Sequence, residues 1–158
     1  MNVKKSVDYS LMFAELDTLM KKDLPQMELY CEIGRLVNSR LEKGAAIAAA
    51  EYLSAAYPGV PGFSPRNLRR MREFYRAYES DLKVMAEAMA IGWTQNVVIL
   101  EAELTLRERV WYIRAAGTFG WSKMELHRMI TANAHMEISL DMADSVCYTE
   151  KAEAFDKC

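Results

Sequence analysis

Residues 62–78 read GFSPRNLRRMREFYRAY, and this stretch decides what kind of chain this is. Ser64 followed by Pro65 is a helix start: a serine side chain can accept an amide of the first turn, and proline at the first helical position has no N–H to leave unpaired. From there Leu68, Met71, Phe74, Tyr75 and Tyr78 recur at intervals of three and four, which gathers them on one face of a helix over about 65–78. On the same wheel Arg66, Arg69, Arg70, Arg72 and Arg76 all fall away from that apolar stripe. Five like charges on one short helix repel each other, and Glu73 is the one acid within the helix to offset them. An anionic partner would relieve that repulsion, and nucleic-acid phosphate is the obvious chemistry. The plainer alternative is a solvated face whose arginines pair with acids elsewhere in the chain.

Working outward toward the N-terminus, residues 58–63 (PGVPGF) break helix, and 45–57 (AAIAAAEYLSAAY) combine high helix propensity with side chains small enough for a neighbouring helix to approach closely. A small-residue helix, a turn and a capped arginine helix make the order of a helix-turn-helix, here predicted over 45–78 with the second helix entering the major groove. The turn is longer than the usual few residues. Further upstream, Leu11, Met12, Leu16, Leu19 and Met20 predict a helix over about 8–22 that ends in Lys21 and Lys22. Leu29, Tyr30, Ile33, Leu36, Val37 and Leu41 predict a second one, with Gly44 as its end cap.

Toward the C-terminus, SDLKVMAEAMAI at 80–91 reads as helix. Gly92 and Trp93 interrupt it before Val97, Val98 and Ile99, whose β-branched side chains also suit a short strand. Thr105 with Glu108, and Ser122 with Glu125, are capping boxes that should start helices at about 106 and 123, with Gly117 and Gly120 between them. The expectation is an all-α, compact multi-helix domain of about six to eight helices containing the helix-turn-helix-like unit. It would comprise a helical domain over 1–130 and an acidic C-terminal helix or tail over 131–158.

Composition narrows the class. Hydrophobic residues at 51% and charged residues at 27% are those of an ordinary globular chain, and 158 residues suit one core. No run approaches a membrane span and the N-terminus lacks a secretory pattern, so a cytoplasmic protein without membrane contact is expected. Cys31, Cys147 and Cys158 are odd in number and widely spaced, which argues against a disulfide framework or zinc site. The net charge of −2 conceals a basic island at 64–76 and an acidic end, where residues 131–158 hold six acids against two lysines. His127 and His135 lie about two helical turns apart, too far to share a metal, and no phosphate-binding loop or nucleophile–base pairing is recognisable. No cofactor and no enzymatic activity are expected. Trp93, Trp111, Trp121, Tyr112 and Phe119 could stack on bases, but rings at helical spacing are more often core.

LYCEIGRLV at 29–37, the arginine stretch at 62–78, GWTQNVVILE at 92–101 and RVWYIRAAGTFGWSKMELHRMI at 109–130 together resemble the N-terminal domain of the YhcG-like family, a domain of unknown function. The resemblance covers roughly residues 10–130. Its most specific run is F-S-x-R-N-L-x-x-M-x-x-F-Y, here Phe63, Ser64, Arg66, Asn67, Leu68, Met71, Phe74 and Tyr75. In larger members this domain resembles a DNA-binding helix-turn-helix module and precedes a PD-(D/E)xK-type nuclease. The resemblance therefore implies a nucleic-acid-associated role for Ser64, Arg66, Asn67, Arg69 and Arg70, in a bacterial or mobile-element protein. Two departures stand out. Cys31 replaces a common aromatic, and only 28 residues follow Ile130, too few for a nuclease core.

The expected function is thus non-catalytic nucleic-acid binding, with duplex DNA as partner. Arg66, Arg69, Arg72 and Arg76 would contact phosphates and Asn67 would be poised near base edges. The alternative is a protein-interaction module that inhibits a nucleic-acid-processing defence complex, of anti-restriction or anti-CRISPR type. There Glu137, Asp141, Asp144, Glu150, Glu153 and Asp156 would mimic a phosphate row. A protein partner or homodimer fits either reading, and the acidic end could equally cover the arginine helix.

Overall fold

The computed structural model describes residues 7–40 and 42–138, and within them the chain forms eight α-helices, one 3₁₀ turn and no strand. The chain divides into two compact units at residues 82 and 83, where its length had suggested one core. The division leaves no compositional trace, because it falls at the first residue of a helix and not in a glycine- or proline-rich linker.

The first unit contains α1 (Ser10–Lys21), α2 (Gln26–Asn38), α3 (Ala45–Ala56) and α4 (Pro65–Tyr78). Its core is Met12, Leu16 and Leu19 from α1, Tyr30, Ile33, Leu36 and Val37 from α2, Ala45, Ala46, Ala49, Ala50 and Leu53 from α3, and Leu68, Met71, Phe74 and Tyr78 from α4. These buried sets follow the 3.6-residue period that the sequence carries. Helix α4 packs against α2 and α3, and α1 against the same two helices. The α2–α4 crossing is so close that a Cβ at Gly34 would stand 2.2 Å from the Met71 carbonyl oxygen. Only a residue without a side chain permits that approach. Helix α1 is fastened to α3 by Asp17, whose carboxylate accepts hydrogen bonds from Tyr52 Oη at 2.6 Å and Tyr57 Oη at 2.7 Å. Phe13 stacks flat on the Tyr52 ring with centroids 4.3 Å apart.

Helix α2 ends at Asn38, six residues before the expected glycine cap. Ser39 turns its hydroxyl back to the Leu36 carbonyl at 2.6 Å, and Gly44, at φ −82°, is instead the residue from which α3 starts. A serine that satisfies a terminal carbonyl of its own helix competes with continuation of that helix.

The second unit contains α5 (Leu82–Ala90), α6 (Trp93–Glu101), α7 (Leu106–Phe119), α8 (Lys123–Thr131) and the 3₁₀ turn Ala134–Met136. Val97, Val98 and Ile99 lie in α6, so the strand alternative is not realised. The reason is tertiary. Fully buried Asn96 donates its Nδ2 to the Ala88 carbonyl at 2.8 Å and the Gly92 carbonyl at 3.0 Å, which fixes the α5–α6 corner as a helical turn. Both capping boxes form: Thr105 and Glu108 exchange bonds of 2.9 and 3.1 Å, Ser122 and Glu125 of 2.9 and 3.2 Å. Of the two glycines expected between α7 and α8, Gly117 lies inside α7, and Gly120 alone ends the helix, at φ 66°. Helix α7 also carries a polar cluster: Tyr112 Oη lies 2.8 Å from His135 Nδ1, and His135 Nε2 lies 3.2 Å from Glu108 Oε2. No helix among the described residues is long and apolar enough to cross a membrane.

Candidate nucleic-acid interface

Helix α4 starts where the sequence places its start. Ser64 is extended at φ −73° and ψ 155°, its hydroxyl accepts the Asn67 backbone N–H at 3.1 Å, and Pro65 follows as the first helical residue. The loop that delivers the chain to this point is held at each side. Ser54 of α3 donates its hydroxyl to the Phe63 carbonyl at 3.1 Å, and Asn67 of α4 donates Nδ2 to the Gly62 carbonyl at 2.7 Å. Gly62 itself has φ +99°, and a Cβ there would stand 2.3 Å from Tyr30 Oη, so both handedness and space demand glycine. Phe63 is buried beside this loop. An eight-residue connection, 57–64, is thereby given one shape.

The side chains of α4 sort into three groups. Leu68, Met71, Phe74 and Tyr78 are buried; Asn67, Arg70, Arg72, Tyr75 and Ala77 are half-buried; Pro65, Arg66, Arg69, Glu73 and Arg76 are exposed. Arg66 and Arg69 have no hydrogen-bond or ion-pair partner among the described residues. Arg72 lies lower on the flank, and its Nε is sealed from solvent without an acceptor. Arg76 is braced: Nε donates to Asn38 Oδ1 of α2 at 2.7 Å, and one terminal nitrogen donates to Glu73 at 3.2 Å. The one acid of the helix is therefore engaged at its C-terminal end, away from Arg66 and Arg69.

Of the seven residues expected to form the site, the structure brings Arg66, Arg69 and Arg76 onto the open face and puts Arg70 and Arg72 on its edges. Ser64 and Asn67 are occupied with the cap and the loop. Asn38, Gly62, Ser54, Tyr30 and Gly34 shape the site and were not found from the sequence. Each acts through a neighbour remote in the chain or through a backbone angle, which the apolar period that includes Tyr30 does not reveal. Cys31 lies half-buried on α2, and burial pushes its thiol above the ordinary cysteine range, which disfavours the reactive thiolate. No group of three or more His, Cys, Asp or Glu able to hold a metal occurs among the described residues. Five of the six acids expected to form a phosphate-like row, Asp141 to Asp156, lie outside the described residues, as do Cys147 and Cys158; Glu137 is exposed.

The aromatic residues considered for base stacking all fall in the second unit. Trp93, Tyr112 and Trp121 are buried and Trp111 half-buried in a cluster of rings, while Phe119 alone is exposed, 5.3 Å from Trp121. None of them lies on α4.

Residues 13–137 match the family described as the DUF1016 N-terminal domain. The chain belongs to that family. The match spans both units and includes the whole of α4, its loop and the two capped helices. No curated protein and no solved structure matches the chain.

Proposed function

We propose that this DUF1016 N-terminal domain is a non-catalytic nucleic-acid-binding module that takes duplex DNA through α4, with α3, the 57–64 loop and α4 acting as a helix-turn-helix. The observation that carries this reading is the exposed side of α4. Arg66 and Arg69 stand open and unpaired at its N-terminal half, on a helix whose opposite side is locked into the core by Leu68, Met71 and Phe74. A surface built this way anchors the helix that carries the cations but leaves their charged ends in water, where they repel one another until an anion arrives. Phosphates of a nucleic acid are anions in a row, and the counterions they release on contact make binding steeply salt-dependent.

The test is binding of the full chain to a labelled duplex across a salt series starting at ~50 mM, with Arg69→Ala beside it. Binding should weaken linearly in log–log form as salt rises, and Arg69→Ala should flatten the slope by roughly 0.9 for the one phosphate contact removed. Arg66→Ala should act similarly, since Arg66 is equally exposed and unpaired among the described residues. A chain that leaves the duplex free at the lowest salt, or a slope indifferent to both substitutions, overturns the reading.

A further inference from the structure

We infer that the α4 face takes duplex DNA without regard to base sequence: its ligand is the phosphate backbone of a double strand, and Asn67 is a positioning residue, not a reader of bases. This rests on the proposed function above and narrows it.

Reading a base edge requires a side chain with the matching donors and acceptors, held where the groove presents them. Asparagine and glutamine match adenine, arginine and lysine match guanine, carboxylates accept from cytosine, and small apolar groups meet the thymine methyl. Ser64 and Asn67, the polar neutral residues at the N-terminal end of α4, are spent on the fold. The Ser64 hydroxyl holds the Asn67 amide, and the Asn67 side-chain amide holds the Gly62 carbonyl at 2.7 Å. The exposed positions that remain on α4 are Pro65, Arg66, Arg69, Glu73 and Arg76. Glu73 accepts from Arg76, and Arg76 is turned toward Asn38 of α2. That leaves Arg66 and Arg69 to meet a ligand. Among the described residues no neighbour braces either guanidinium in the orientation that a bidentate guanine contact needs. Unbraced arginines in water are suited to phosphates, which accept from many directions and recur along the strand.

The experiment exposes the full chain to a pool of random-sequence duplex at ~50 mM salt and sequences the retained fraction, with a single-stranded pool in parallel. A second arm measures the charge-preserving double substitution Arg66→Lys with Arg69→Lys. Both positions are exposed, so the substitution leaves the core untouched. The expected result is retention of duplex with no enriched motif, and an affinity for the lysine variant within about threefold of the parent, since a point charge still meets phosphate. An enriched motif shows base reading, and a loss of roughly tenfold or more in the lysine variant shows that the contact needs the planar guanidinium and not a point charge; either overturns this inference while leaving the proposed function standing. Tighter retention of the single-stranded pool overturns the duplex as ligand. Retention of neither pool overturns the proposed function and this inference together.

Discussion

Helices α4 and α7 are both fourteen residues long, both begin behind a hydroxyl cap and both carry several arginines, yet their charges are employed differently. In α7, Arg114 Nε lies 3.2 and 3.1 Å from the two oxygens of Glu87, and the pair is mostly shielded from solvent. Glu108 at its first turn closes a capping box and approaches His135. Arg114 and Glu108 of α7 thus join elements of the second unit. In α4 the joining falls mainly on apolar groups and backbone proximity, with Arg76 alone bonded to Asn38 of α2, and Arg66 and Arg69 have no hydrogen-bond or ion-pair partner among the described residues. Arginine content alone does not mark a binding face.

The contrast can be broken most severely at Gly34. Gly34→Ala sets a Cβ against the Met71 carbonyl of the α2–α4 crossing, where backbone must move to make room. A loss of about 3 kcal/mol is expected in urea unfolding, at the upper end of ordinary overpacking because the obstacle is main chain. In the second unit the corresponding break is polar. Glu87→Ala leaves Arg114 shielded without this carboxylate, and should cost about 1.5–3 kcal/mol by the same measurement, as for a hydrogen bond to a charged group. Loss of the caps should treat the two helices alike: Ser64→Ala and Thr105→Ala should each cost about 1 kcal/mol in thermal or urea unfolding.

A pH titration sharpens the comparison within the first unit. Hydrogen bonds from Tyr52 and Tyr57 hold the Asp17 carboxyl below the ordinary aspartate range. Because the folded value is depressed, its contribution to stability is fully present above the unfolded value near pH ~4 and is lost as pH falls through the lower folded value. Asp17→Asn should therefore flatten the acid limb of the stability profile while leaving its slope near neutrality unchanged. Smallest of all is the effect of removing the free cations. Arg66→Ala and Arg69→Ala should each leave unfolding within about 0.5 kcal/mol of the parent, the ordinary range for surface substitutions, even as duplex affinity falls. A larger destabilisation would mean that these arginines serve the fold, as Arg114 of α7 does.

Helix α4 could be read from the sequence to its terminal residues, because everything that defines it is local. A serine–proline start and an apolar stripe at helical period are complete within 64–78. The capping boxes of α7 and α8 were legible for the same reason. Val97–Ile99 was ambiguous because β-branched propensity is weak, and the Asn96 bonds that settle it depend on where the chain turns at Gly92. Gly44 and Gly117 misled in the opposite way: glycine suggests a helix end, whereas here one starts a helix and the other lies inside one. At the site, the positions of the arginines followed from periodicity. The engagement of Asn67 with Gly62 did not, since it requires the positive φ of a loop whose shape no short pattern encodes. The bracing of Arg76 by Asn38 joins residues 38 apart in the chain.

The division into two units has an optical consequence. All three tryptophans, Trp93, Trp111 and Trp121, belong to the second unit, whereas Tyr9, Tyr30, Tyr52, Tyr57, Tyr75 and Tyr78 belong to the first. Tryptophan emission excited at the red edge of its absorption therefore reports on the second unit without a label, while far-ultraviolet dichroism registers the helices of both. Superimposed on one denaturation curve, the two signals turn the chain into its own gauge of cooperativity. Coincident transitions would mean that the unit carrying α4 and the tryptophan-bearing unit melt as one, and a dichroism change that precedes the loss of emission would time the release of the first.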